Sequence, residues 1–248
     1  MTLTSIARPF AALLLFLAAA PSSAEELPTP FEADYEGSKF PFSAKAKITL
    51  ERIGDYYRYT MRGSVRAAFF KWTEVYDCSV LQVQGAKFYP VESMHRDSRD
   101  HRRSVHTRFD WPRRSLRVTR GDGAVEVIGE LPPVAWDLMS IQVRLRADVA
   151  SAEPGAELKY DVIEKDQVKK RRLRIEGIDE VQTDQYLLQV MKAEVEDGKH
   201  RHQFWFAKNY AWLPVRVSIS GVSLDLVSPP ADAGRAATPT TDSPPRCQ

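Results

Sequence analysis

"PPVAWDLMSIQVRLRADVAS", residues 132–151, decides the fold, because it breaks the period-two rhythm of the sequence on either side of it. Two prolines open it, and Leu138, Ile141, Leu145 and Val149 then recur at helical spacing. Asp137 is the predicted N-cap. Ser140, three residues on, supplies part of a capping box.

Outward from this helix, apolar and polar residues alternate. On the C-terminal side, "ELKYDVIEKDQVKKRRLRIEG" (157–177) reads as a hairpin, with Leu158, Tyr160 and Val162 rising and Leu173 and Ile175 returning. "YLLQVMKAEVEDGKHRHQFWFAK" (186–208) holds Asp197-Gly198, a favoured type I′ turn pair, between strand-forming residues. "LPVRVSISG" and "VSLDLVS" add two strands about Gly221. On the N-terminal side, "SAKAKITLER" sets Ala44, Ala46, Ile48 and Leu50 against polar neighbours, "YYRYTMRG" follows, and "VLQVQGAKFYPVES" makes two short strands about Gly85. The expected fold is mainly β: a single strongly curved antiparallel sheet, a half-barrel of about ten strands, packed around one α-helix that fills its concave side.

The two ends read differently. Arg8 precedes an apolar run from Phe10 to Ala20, which Pro21 breaks; Ser22 and Ala24 then suit signal peptidase. Residues 1–24 are thus an expected signal peptide, 25–227 a single β-rich domain, and 228–248, rich in Pro, Ala and Thr, a disordered tail. No segment after the leader is long enough to span a membrane. The expected location is the periplasm, exported and soluble.

Removing the leader takes one arginine and no acid from 35 basic and 33 acidic residues, leaving a formal charge of +1. Export and near-neutrality exclude nucleic acid as the partner. Of the two cysteines, Cys78 lies in a strand-like stretch and reads as a small buried apolar residue. A Cys78–Cys247 bridge is the less favoured alternative, since Cys247 belongs to the tail.

Local charge asymmetry is pronounced in "HRDSRDHRRSVHTRFDWPRRSLRVTRG" (95–121), which holds nine arginines and three histidines. Its second part is a hairpin: Phe109, Trp111, Leu116 and Val118 face inward, and Arg108 and Arg117 face out. A solvated face explains most of this. The functional alternative is that Arg108, Arg113, Arg114 and Arg117 form a rim that binds anions, such as a lipid headgroup or an anionic polysaccharide. The interleaved Asp97 and Asp100 compete with any such ligand.

Large rings are the other candidates. Phe204 and Phe206 share one strand face and Trp205 takes the other; with Trp72 and Trp136 they are the expected lining of an apolar cleft between sheet and helix. His200 and His202 fall on one strand face, as two metal ligands would, but a third ligand is not evident, so neither metal nor other cofactor is expected. Catalytic signatures such as G-x-S-x-G and H-E-x-x-H do not occur in the sequence.

Four stretches, "FYPVE" (88–92), "RFDWPRRSLRV" (108–118), "WDLMSIQVRLR" (136–146) and "FWFAKNYAWLPVRVSISG" (204–221), occur in an order that resembles a family of exported bacterial proteins grouped as domain of unknown function 3108. The resemblance covers about 31–227. It implies compartment and fold rather than a reaction, and at fold level it extends to the periplasmic half-barrel lipoprotein carriers. The expected function is a non-enzymatic periplasmic binding protein for an apolar or amphipathic envelope component. A structural module recognising anionic polysaccharide or a protein partner is the alternative, and a metal-dependent hydrolase the third.

Overall fold

The computed structural model describes residues 27–39, 41–67, 70–85, 87–164, 166–182, 187–197, 200–219, 222–232 and 244–248. The expected signal peptide lies outside them. So do the Trp72 and His200 side chains.

Two meanders of strands are joined by one crossover. The first runs outward in chain order: β1 (Phe31–Lys39), β2 (Phe42–Ile53), β3 (Tyr56–Ala67), β4 (Phe70–Gln84), β5 (Lys87–Asp97), β6 (Val105–Asp110), β7 (Ser115–Arg120) and β8 (Val125–Ile128). The chain then crosses to the far edge through β9 (Trp136–Asp137) and α1 (Ser140–Ser151). The second meander returns inward: β10 (Glu157–Glu164), β11 (Gln167–Gln182), β12 (Leu187–Asp197), β13 (His200–Ala207), β14 (Leu213–Ile219) and β15 (Val222–Leu226). The meanders meet where β15 pairs antiparallel with β1, through Tyr35↔Leu226 and Glu36↔Asp225. Among the described residues this is one open sheet of 15 strands, with β8 and β9 at its edges.

The expectation of about ten strands is therefore too low. β8 and β9 are four and two residues long, too short to display a period. β1 carries acid and glycine that lower its strand propensity, and its pairing over nine residues with β2 makes it a strand. The β10–β11 hairpin has the expected register, Leu158↔Leu173. In β12–β13 the last pair is Asp197↔His200, so Asp197 belongs to the ladder and not to the turn.

One cluster of buried side chains draws on both meanders and on α1, including Leu50, Tyr57, Leu81, Val149, Leu173, Ile175, Phe206 and Val215. A flat sheet could not bring those strands together, so the sheet wraps the helix. Where its flanks approach, Leu116 and Val118 of β7 pack with Ile163 of β10, over Leu131 and Ala135 of the crossover. Arg120 of β7 reaches across to pair with Asp166, and also with Glu126 at 3.4 Å.

The helix starts at Ser140 with Met139 in the N-cap position, so the expected cap, Asp137, sits two residues earlier and holds the turn that leads into the helix, with Ser140 closing the box. Asp137 Oδ1 accepts from the backbone N–H of Met139 (2.9 Å) and Ser140 (3.1 Å), while its own N–H donates to Ser140 Oγ at 2.9 Å. Ser79 of β4 donates to Oδ2 at 2.8 Å, so the same carboxylate ties the helix start to the sheet. Leu138, read as part of the buried stripe, is instead 58% exposed, because the capping turn carries it off the helix face.

The two cysteines form a disulfide, correcting the expectation of an isolated buried thiol. Sequence proximity gave no hint of it, since the cysteines are 169 residues apart. Cys78 and Val80 alternate with the inward-facing Ser79 and Leu81 and so lie on the outer face of the sheet. Both are nevertheless fully buried, because Cys247 sits over them. Nor does the tail lack anchors. Ala231 exchanges backbone hydrogen bonds of 2.8 and 2.9 Å with Glu32, and Arg246 lies 3.9 Å from Glu92. Residues 233–243 of it lie outside the described part.

Candidate functional site: a cavity between the sheet and the helix

The inner face of the sheet is longer than the helix that covers it, and space remains between them. This cavity has a volume of about 480 Å³. Its floor is the row of inward residues that the register brings together: Ile48 and Met61, then Leu224, Val217 and Phe204, then Ile219, His202, Val195 and Leu173. Ile141 and Leu145 of α1 roof it, with Leu138 at one end. A wall so dominated by aliphatic and aromatic carbon, at this size, suits an apolar ligand.

Polar groups are few. Gln142 accepts from the Tyr59 hydroxyl at 3.2 Å, and Tyr160 donates to Asp148 at 2.8 Å. Arg171, Arg172 and Glu164 line one side, where Arg171 Nε donates to Glu164 at 2.6 Å and Lys169 pairs with the same carboxylate at 2.9 Å. Those pairs hold the Glu164 carboxyl below its usual range against the opposing effect of burial, the largest single influence. His202 also lines the cavity, and its buried Nδ1 has no hydrogen-bond partner. No group of three or more His, Cys, Asp or Glu among the described residues is placed to hold a metal ion.

The expected apolar lining divides. Phe204 and Phe206 reach the cavity, their rings stacked at 6.1 Å. Trp205, between them, points to the opposite face, where its indole N–H donates to Asp179 at 2.9 Å and Lys192 lies 5.7 Å from the ring. Trp136 is buried edge-on against Phe88 in the core and does not line the cavity.

The four rim arginines are not at the cavity. Side-chain alternation sends Arg108 and Arg117 to the outer face, directly opposite one another on β6 and β7. Arg108 lies 3.8 Å from Glu92, which also binds His106 at 2.5 Å. Arg113 folds back onto Asp110 at 2.9 Å. Arg114, at φ 49°, donates to the Leu131 carbonyl at 2.7 Å, pinning the crossover segment. The arginines beside the cavity are Arg171 and Arg172, whose stretch "KKRR" resembles any solvated strand end and gave no signal.

Sequence reasoning also missed Arg146. It is a buried helix residue whose Nε and Nη2 donate to the Ala211 carbonyl at 3.1 and 3.0 Å, with Phe31 4.6 Å beneath the guanidinium. Burial holds its pKa below the ordinary arginine value, and burial raises the neighbouring Tyr35 and Tyr59 hydroxyls.

A second, polar cavity of about 590 Å³ lies beyond Leu138 on the inner face of β4–β7. Its most organised element is His95, whose Nδ1 meets Asp77 at 2.7 Å; that hydrogen bond raises the imidazole above its ordinary value.

Residues 31–222 match the family described as "Protein of unknown function (DUF3108)". The chain belongs to the DUF3108 family. No curated protein matches it. Among solved structures, the DUF3108 chain is similar to a beta-barrel-like protein of domain of unknown function DUF1849 from Brucella abortus. The likeness has a TM-score of 0.52 at 9% identity, covering 80% of this chain and 94% of that one. At that identity the two share a fold, and the fold alone. Among the described residues no helix is long and apolar enough to cross a membrane.

Proposed function

We propose that the protein is a non-enzymatic binding protein of the periplasm. Its curved half-barrel shelters the apolar part of an amphipathic cell-envelope molecule between sheet and helix. One observation carries this reading: the sheet–helix interface is not packed solid but holds a cavity of about 480 Å³ with an apolar wall. A core built for stability alone closes such space, since interiors pack to near-crystalline density. Export is supported by the leader-like first 24 residues and by the disulfide, which persists in an oxidising compartment.

Native mass spectrometry of protein recovered from the periplasm tests the proposal. The expected spectrum shows a bound lipid-like mass that organic extraction removes and envelope extract restores. Protein that emerges empty and takes up nothing from such extracts refutes it.

A second reading has its own observation. Arg108 and Arg117 are like charges facing each other across a ladder, an arrangement that costs stability, and the Glu92 carboxylate 3.8 Å from Arg108 offsets only one of them. An anionic polysaccharide or an acidic partner on the outer face would compensate. Binding that disappears with salt and with Arg108→Ala/Arg117→Ala, while cavity loading persists, supports this reading.

A further inference from the structure

The two cavities share one residue. Leu138 lines the apolar cavity and the polar one, and stands 58% exposed between them at the turn that starts α1. An exposed leucine at that position is a saddle over which an aliphatic chain can run from one cavity to the other.

The polar cavity has the chemistry of a headgroup site, and its charges specify which kind. Four cationic or basic groups line it, namely Arg102, Arg103, Arg120 and His95. Each already has a carboxylate: Arg102 lies 3.0 Å from Asp100, Arg103 3.8 Å from Asp97, His95 2.7 Å from Asp77, and Arg120 pairs with Asp166. An anionic headgroup would have to compete with those acids, and a cationic one with those bases. A headgroup of hydroxyls can accept from the guanidinium N–H groups and donate to the carboxylates while every internal pair stays intact. With Nδ1 engaged by Asp77, His95 has Nε2 left to meet such a group. Ser93 and Thr107 add short hydroxyls to the same wall.

We propose that the two cavities are one bipartite site for a glycolipid-class amphiphile, its chain under α1 and its uncharged polyhydroxyl headgroup among His95, Arg102, Arg103 and Arg120. This rests on the reading of the apolar cavity as a lipid site. Gly121 is part of the construction: a Cβ there would come 1.8 Å from the His101 carbonyl oxygen, so glycine lets the arginine-bearing 3-10 turn at His101–Arg103 settle against the end of β7.

The test is isothermal titration of the delipidated full chain with three probes of one chain length, each below its aggregation threshold: dodecyl maltoside, dodecanoate and dodecanol. Dodecyl maltoside should bind at least about tenfold more tightly than either of the others. His95→Leu, and independently the conservative surface change Arg103→Gln, should erase that advantage and leave dodecanol binding unchanged. Equal affinities for maltoside and dodecanol, or a maltoside affinity that neither variant alters, overturns the headgroup assignment and leaves the chain site standing. Tighter binding of dodecanoate overturns it in favour of an anionic head. If no probe binds, the apolar-cavity reading fails and takes the headgroup assignment with it.

Discussion

Replacing Cys247 by serine removes the covalent link that holds the C-terminal residues to the outer face of β4. The bridge closes a loop of 169 residues, and the chain-entropy relation values that constraint on the unfolded state at about 5 kcal/mol at 25 °C. Native bridges usually return somewhat less, so the expected loss is about 2–5 kcal/mol. Part of it comes from the folded side, since Cys78 and Val80 are buried by Cys247 and the loosened tail would wet them. Urea unfolding followed by tryptophan fluorescence measures the difference, and dithiothreitol added to the wild type should reproduce it without mutation. A loss below about 1 kcal/mol at an unchanged slope, close to the extrapolation error, would refute the reasoning. The tail would then be a passenger and not a brace.

Further outcomes follow from single residues. Gly37→Ala places a Cβ 2.0 Å from the Ser223 carbonyl oxygen at the β1–β15 seam and should cost about 3 kcal/mol or more. Gly63→Ala, whose nearest neighbour would be 3.7 Å away, should be close to neutral in the same thermal melts; equal effects would disprove the seam argument. Because Asp77 raises His95, protonated His95 favours the folded state: that stabilisation is complete below the unfolded value of about 6.5 and is lost as pH rises through the raised folded value. The melting temperature should therefore fall across that window, and His95→Gln should flatten the fall; an unchanged profile in the variant contradicts the assignment. Ile141→Trp fills the roof of the cavity and should lower lipid loading by about tenfold or more, whereas Arg117→Ala on the outer face should leave it alone. Native mass spectrometry reads both, and loading that survives Ile141→Trp speaks against the cavity.

How much of this was legible in the sequence depended on range. The β10–β11 hairpin and the capping turn at Asp137 are local, so spacing and residue type sufficed. The inward set Phe109, Leu116 and Val118 followed from alternation in the same way, whatever the arginines around it. The β1–β15 seam is different. It joins Tyr35 to Leu226 through a long loop, and no short pattern encodes which edge meets which. The disulfide shares that blindness, and Cys78 looked like a core residue because an outer-face strand under a strap has the same composition as an inner one. Trp205 shows the limit from the other side. Its alternation with Phe204 and Phe206 was visible, yet large size alone placed it in the cleft, and the Asp179 partner that holds it outside lies on β11. The cavity arginines were missed because "KKRR" in β11 carries no mark of the helix packed beside it.

The cavity follows from a mismatch built into the elements. A helix of twelve residues extends about 18 Å, while the sixteen residues of β11 can extend about 50 Å. One helix cannot cover a face of that length. Larger inward side chains could have closed the gap, but beyond Ile48 and Met61 the inner face of β1–β3 carries small ones. Register places Gly37 opposite Ala44, and Ala46 opposite Gly63, on the inner side of β1–β3. Gly37 is additionally required by the seam, and Ala46 lines the cavity directly. The same strands carry Leu50, Tyr57 and Tyr59 at their other end, where α1 and Arg146 pack against them and the core is full. Bulk at one end and small residues at the other leave the inner face open toward the ends of β1 and β2 that carry Gly37 and Ala44. The helix start, with Leu138 exposed at its tip, stands where that opening meets the polar wall. Apolar space and hydrogen-bonding space therefore adjoin at one side chain, which is the arrangement an amphiphile requires.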